Sequence, residues 1–520
     1  MSTGRLARLM AAPLLYPLLL AAYPVVFLWS QNREEDVTTP VALSVLAVVL
    51  IPTAGIWLLA RLILRDPHRA SFATMALTLP FLVFGHVKDY VDPYGPHART
   101  MYLFIGFIGV MIVGVVAAAR ARWVPRVARI ANPIACVLLA LNVVPLVAAA
   151  VRPQSAVATG HDELVGLPAE PPAQRPDVYY LIFDRYTDAR VLREQYGFDN
   201  TAFLDGLRQR GFTVIEDAVA NYPRTSPSLA SSLNMTYLDE LAAELGPDSV
   251  DWGAMRVMND GPLVATTLQR LGYRTINIGS WWGNTAFDPG ADENISFFPS
   301  HEFSYVFGQT TMWPTLARYT RLAEPDAWER DIWDATPRQF AAVAGVARDP
   351  GPTFTFAHFL LPHPPYVFRR DGSYAGDLPT LGEDAAYLEQ VRYANAKIDE
   401  LLDMLIGEAA SGAEPIVVIQ ADEGPYPDAL MADEPDYDFY EATQPDLEKK
   451  QMILNALLLP GGSGGDVPAG MTPVNTFRLI LSRYFGADLP LLPDRAYVLR
   501  SNQHPYELYD VTDRLRELAL

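Results

Sequence analysis

Cysteine is almost absent from this 520-residue chain: the one example, Cys136, lies inside a long apolar run. Outside such runs there can be no disulfide, no thiol nucleophile and no zinc–thiolate site, so any outer domain must be held by its core alone. Lysine is scarce too. Only four of the 40 basic residues are lysines, and no basic stripe with interleaved aromatics occurs, which removes the usual grip on a nucleic-acid backbone. No internal repeat of about 20 to 50 residues is present, which sets aside solenoids and propellers. The long apolar runs also lack the buried charges that mark an ion or substrate path, which argues against a transporter.

What the chain does have is grease. Half of its residues are hydrophobic, and five stretches, 10–30, 40–60, 70–87, 101–119 and 130–151, approach the roughly 20 apolar residues that cross a bilayer. A cleaved signal peptide does not account for the first, because four more follow and no small-residue cleavage site leads into a polar sequence. Arginines 5 and 8, 61, 65 and 69, and 120, 122, 126 and 129 flank alternate ends of these runs. By the positive-inside rule those ends face the cytoplasm, so residues from 152 onward emerge on the outer face. That outer part holds 28 basic and 54 acidic residues, a surface suited to divalent cations rather than to polyanions.

Residues 152–176 are rich in proline and alanine without periodicity and read as a tether. From residue 177 to the end, short β-branched runs such as "DVYYLIFD", "YRTINIG", "FTFAHF" and "PIVVIQA" alternate with amphipathic stretches. This pattern predicts an α/β domain with a mostly parallel sheet sandwiched by helices, and ligands at the carboxyl ends of its strands. Two segments break the alternation. Residues 281–333 are aromatic-rich and irregular, and read as a packed excursion over the core in preference to a recognition lid. Residues 421–448 carry ten acids and no base, mostly a solvated loop, though its first residues ask for more.

Two apolar strands end on carboxylates: "VYYLIFD" on Asp184, and "PIVVIQAD" on Asp422 with Glu423 next. Either acid alone could be a helix cap. Between them lies "NYPRTSPSLASSLNM", where Pro227 suits a first helical position, Ser226 a cap, and Thr225 a place just ahead of the free amides. A helix start favours a bound anion. A hydroxyl there, coordinated to a divalent cation, can become an alkoxide nucleophile, with Asp184, Asp422 and Glu423 as further oxygen ligands. A third element, "FTFAHFLLPHPPYVF", brings His363 to a proline turn after a strand, aimed at the anion as a donor. His358, within the apolar run, is the weaker candidate for substrate contact.

At these residues the chain resembles the alkaline phosphatase and sulfatase superfamily, from about 176 to 514. The resemblance implies an alkaline phosphatase-like fold, a metal-binding Asp184 at the early strand end, Thr225 as nucleophile and Asp422 at the late strand end. "TSPSL" takes the place of the sulfatase Cys-x-Pro-Ser-Arg, "PHPPY" looks like the family's substrate-contacting histidine turn, and "YELYDVTDR" is similar to the closing segment of sulfatases. Thr225 and Leu229 stand where formylglycine sulfatases need Cys or Ser and Arg, which disfavours sulfate-ester hydrolysis. Threonine is the nucleophile in the membrane-bound phosphotransferases of the superfamily, lipoteichoic acid synthases and phosphoethanolamine transferases, and the lack of cysteine looks more like the former. The implied activity is phosphotransfer to or from an envelope lipid or glycan. Hydrolysis of phosphate or sulfate esters, and a scaffold with a degenerate site, are the alternatives. Glu423 replaces the usual histidine ligand, which moves the expected metal toward manganese or magnesium, with zinc and calcium behind them.

Overall fold

A computed structural model describes residues 12–32, 37–91, 97–150, 155–159, 175–299, 301–320, 324, 326–376, 378–407, 414–432, 437–461 and 467–516. Arg5, Arg8, the acids at 34–36 and most of the 152–176 tether lie outside the described residues. The chain divides into two units: Met1–Pro153 with Ser300–Ala327, and Gln154–Pro299 with Trp328–Leu520.

The first unit contains the apolar helices Leu15–Gln31, Thr39–Leu64, Pro67–Val91, His97–Arg120 and Ala128–Ala150. The last four are long and apolar enough to cross a membrane, and Leu15–Gln31 is a shorter apolar helix of 17 residues. Each of the first three packs against the next, and Ala128–Ala150 packs against Leu15–Gln31. Arg69 donates to the Ala118 carbonyl at 3.0 Å, which puts the arginine-bearing connections at one end of the bundle. At the other end Trp29 Nε1 donates to the Val37 carbonyl at 3.1 Å. Val48, Ile51, Leu59, Ile112 and Val113 point away from the bundle, each well over half exposed, as side chains do where lipid is the solvent. The sequence placed residues 281–333 in one packed excursion over the core. The structure instead groups 300–327 with the apolar helices, because Phe303, Phe307 and Met312 bury themselves there.

The second unit is built on a seven-stranded sheet: β1 (Val178–Phe183), β2 (Thr213–Val214), β3 (Arg274–Ile278), β4 (Glu293–Ile295), β5 (Thr353–Phe359), β6 (Ile416–Gln420) and β7 (Asn455–Leu458), in the order β2-β7-β6-β1-β5-β3-β4. β1, β3, β4, β5 and β6 run parallel, and β7 runs against its neighbours β6 and β2. Every residue of β1 and β6 is buried, so these two strands are covered on both faces. That is why they read in sequence as unbroken apolar runs rather than as alternation. A separate hairpin, β8 (Tyr497–Ser501) with β9 (His504–Asp510), contains the "YELYD" segment.

Candidate metal centre and nucleophile

The register of the three central strands assembles the site. Ile182 pairs with His358 on one side of β1 and with Gln420 on the other. Side chains alternate along a strand, so Ile182, His358 and Gln420 share a face, and Asp184 and Asp422, each two residues on, return to it. The outcome is a buried trio. One ligand atom each from Asp184, His358 and Asp422 lie within 4.8 Å of one another. His358 Nε2 is 3.7 Å from Asp184 Oδ2 and 4.0 Å from Asp422 Oδ2.

The trio is left short of partners. Asp184 Oδ1, His358 Nε2 and both Asp422 oxygens are buried without a hydrogen bond of regular geometry, an arrangement that costs free energy unless a cation meets those lone pairs. Burial, and then the Asp422 and Glu423 charges, push the Asp184 carboxyl well above the usual carboxylate range. Burial raises Asp422 too, while the Thr225 hydroxyl beside it favours its charged form. Burial pulls His358 down to about 3, so its ring is neutral and keeps a lone pair. Thr285 Oγ1 lies 2.9 Å from His358 Nδ1 and is itself 2.7 Å from Ser280 Oγ, which fixes the ring with Nε2 toward the carboxylates. Two carboxylates, a neutral imidazole and an alcohol form a donor set that fits a divalent cation.

Thr225 opens the helix Thr225–Asn234, two residues earlier than the sequence suggested from Pro227. Pro227 still falls within the first turn, where its missing N–H leaves no bond unmade. Arg224, not Ser226, occupies the cap position, and no side chain caps the helix. Ser226 Oγ instead lies 3.4 Å from Asn284 Nδ2. Everything from Ser226 to Asn234 is buried, so small residues let this helix pack closely while Thr225 stays half-buried at its mouth.

Glu423 lies outside the trio. Its Oε1 sits 2.8 Å from Lys450 Nζ, both side chains 2% exposed, and 3.5 Å from Arg185 Nε. Lys450 Nζ also donates to the Gly424 carbonyl at 3.1 Å. Burial draws the Lys450 amine down to about 7, Glu423 pulls it up, and Arg185 and Arg224 add to the lowering. These three cations converge on one ring: Arg185, Lys450 and Arg224 stand 3.5, 3.9 and 4.7 Å from the Tyr426 centroid. His363 Nδ1 donates to the Pro364 carbonyl, and its ring packs edge-on against Trp281 at 5.5 Å. Burial and then Arg185 drive its pKa well below the ordinary value. The neutral ring therefore presents Nε2 as an acceptor, and the donor role read from the sequence needs the protonated ring.

Arg185, Arg224, Tyr426 and Lys450 were not found from the sequence. Adjacency could have found two of them, since Arg185 follows Asp184 and Arg224 precedes Thr225. Lys450 had no such signal.

Residues 176–477 match the sulfatase family model. No curated protein matches the chain by sequence. Among solved structures it is similar to the zinc complex of the C-terminal periplasmic domain of EcEptC from Escherichia coli, at 14% identity over 67% of this chain and 96% of that one, TM-score 0.42. It is also similar to the lipoteichoic acid synthase LtaP from Listeria monocytogenes, at 13% identity over 68% and 85%, TM-score 0.40. The soluble domain of lipooligosaccharide phosphoethanolamine transferase A from Neisseria meningitidis aligns at 12% identity over 61% and 90%, TM-score 0.40. The family match takes in more than half of the chain and runs from the residues just ahead of β1, through Thr225 and the Asp184–His358–Asp422 trio, to the helix beyond β7: the chain belongs to the sulfatase family.

Proposed function

We propose that this protein is a metal-dependent phosphotransferase of the cell membrane, working on an envelope lipid or glycan through Thr225. The observation that carries the reading is the buried trio with unsatisfied lone pairs beside a hydroxyl at a helix start. Asp184, His358, Asp422 and the Thr225 hydroxyl would hold the ion, which when bound supplies Lewis acidity at the phosphoryl oxygens and lowers the pKa of a coordinated alcohol. Glu423 is committed to Lys450, and an imidazole nitrogen joins the set, so the argument for a hard-oxygen metal weakens and zinc stands level with manganese.

The reaction is a double displacement. The Thr225 hydroxyl loses its proton, its oxygen bonds to phosphorus, and the bond from phosphorus to the leaving alcohol breaks, that alcohol taking up a proton. An acceptor hydroxyl then loses its proton and bonds to phosphorus, the bond from phosphorus to the Thr225 oxygen breaks, and that oxygen takes up a proton. The first helical amides and Arg224 face the charge that develops on the phosphoryl oxygens. Arg185, which follows Asp184, contacts the substrate's anionic oxygens, and His363 adds a donor only when its ring is protonated. Water as acceptor would make the same site a phosphodiesterase.

Trapping tests this. The full-length protein is incubated with manganese or zinc and vesicles of phosphatidylglycerol or phosphatidylethanolamine, quenched in acid, and the Thr225 peptide examined by mass spectrometry. A phosphorylated Thr225, absent from a Thr225→Ala variant that has also lost turnover, supports the reading. Full turnover in Thr225→Ala overturns it. The ion pair between Glu423 and Lys450 favours one second reading, a scaffold that keeps the fold without the chemistry. A purified protein that holds no metal and gains no thermal stability from added manganese or zinc would establish that alternative.

A further inference from the structure

Residues 301–320 do something the catalytic site does not require. They form two short helices, Glu302–Gln309 and Trp313–Thr320, joined by a turn that seats on the apolar helix Pro67–Val91. Gly85 N–H donates to the Thr310 carbonyl, and Met312 N–H donates to the Phe81 carbonyl, both at 2.8 Å. Phe81 and Gly85 stand at i and i+4, the two ends of one helical hydrogen-bond step. So close an approach needs a residue without a side chain. A Cβ at Gly85 would lie 2.2 Å from the Gln309 carbonyl oxygen and 2.6 Å from the Thr310 carbonyl carbon, both backbone. On either side of the turn, apolar side chains reach into the bundle. Phe303 and Phe307 pack with Val25, Ala42, Val45 and Leu82. Met312 packs with Phe84 and Met111, and the Tyr319 ring lies 6.0 Å from that of Phe104.

Apart from Met111, these contacts lie toward the end of the bundle away from the arginines. Gly85 is six residues from the helix end at Val91 and Phe104 seven from the start at His97, a depth of roughly 9 to 11 Å at about 1.5 Å per residue. That is near the boundary between acyl chains and headgroups. Val306, Trp313 and Tyr319 remain 37%, 44% and 41% exposed. Trp and Tyr are the side chains favoured at that depth. Through its contact with Phe104, Tyr319 adjoins the helix His97–Arg120, on which Ile105, Ile108 and Ile112 are exposed.

We propose that residues 301–320 are a re-entrant membrane hairpin whose Val306, Trp313 and Tyr319 bear on the phospholipid of the surrounding leaflet. The segment is bounded on both sides by the second unit, at Pro299 and Trp328. The chain thus passes between the two units at two further points besides the one after Pro153. This assignment stands apart from the phosphotransferase reading and survives its failure.

The single native cysteine makes the test direct. In a Cys136→Ala background of the full-length protein, Val306→Cys, Trp313→Cys and Tyr319→Cys are spin-labelled one at a time in phosphatidylethanolamine–phosphatidylglycerol vesicles. Collision rates with oxygen and with a water-soluble nickel chelate are measured by power saturation. Ile112→Cys serves as the lipid-facing reference and Val250→Cys, exposed on the second unit, as the aqueous one. The expected result is an oxygen-over-nickel preference at all three positions that lies between those of Val250→Cys and Ile112→Cys, as a shallower depth than that of Ile112 requires. Nickel access equal to that of Val250→Cys, or protection from both reagents as under a covering protein surface, overturns the proposal. A Gly85→Ala change should then shift the three labels toward nickel access while leaving the Ile112 label unmoved; unchanged values at all three would overturn the seating on Pro67–Val91.

Discussion

Replacing Lys450 by methionine isolates the least expected feature of the site. Methionine keeps most of the side-chain volume and removes the charge, so the main loss is the 2.8 Å pair with Glu423 in surroundings where both partners are 2% exposed. Breaking a buried pair from one side costs about 3 to 5 kcal/mol, because the remaining charge stays desolvated. Arg185 Nε, 3.5 Å from the same carboxylate oxygen, offsets part of this, which puts the loss at about 3 kcal/mol. At about 2 °C per kcal/mol for a domain of this size, the apparent Tm of the full-length protein in detergent should fall by roughly 6 °C, followed by intrinsic tryptophan fluorescence. Adding Glu423→Gln to Lys450→Met should recover most of the fall, since the uncompensated charge is gone. The pH profile has a defined sign. The amine titrates at about 7 when folded, against an ordinary lysine value of 10.5, so between those values the unfolded chain holds the extra proton. Wild type should therefore gain stability relative to Lys450→Met as pH rises from about 7 toward 10. A fall of under about 2 °C in the single variant, or a double variant no better than the single, would refute the reasoning.

Three further outcomes follow from the geometry. Asp184→Asn, His358→Ala and Asp422→Asn should each strip bound metal from the purified protein, whereas Glu423→Gln should retain it; elemental analysis distinguishes the trio from a set that includes Glu423. Gly424→Ala should cost about 1 to 3 kcal/mol through overpacking, because its Cβ would lie 2.0 Å from the Lys449 carbonyl oxygen, and a thermal melt equal to wild type would count against that close packing. Tyr180→Phe should cost about 1 kcal/mol by denaturant titration, since the hydroxyl donates to Gln420 Oε1 at 2.7 Å and lies 3.1 Å from Ser232 Oγ, tying β1 to β6 and to the helix Thr225–Asn234.

What could be read in advance, and what could not, divides along physical lines. Asp184 and Asp422 were legible because an apolar run ending on an acid marks a strand terminus, and strand termini gather on one sheet edge. The helix start near Thr225 was legible, two residues late, because hydroxyls around a proline mark such a start. His358 was undervalued, since its place beside the two acids depends on the pairing of Ile182 with His358, and register between strands about 170 residues apart leaves no local trace. Lys450 escaped for the same reason: its partner Glu423 lies 27 residues back, beyond any helical spacing. The hairpin at 301–320 looked irregular because helices of eight residues are too short to show their period, and because its apolar face is matched to other helices and not to a sheet.

The strand order has a consequence for how the chain is made. β1 is flanked by β5 and β6, so the centre of the sheet waits for segments synthesised some 170 and 240 residues later. During that interval six consecutive apolar residues, Val178 to Phe183, have no strand to lie against. Long-range pairings of this kind close slowly and leave sticky edges open to aggregation. A ribosome paused anywhere before Gln420 would hold a nascent second unit without its sheet centre, dependent on chaperones until the final strands arrive.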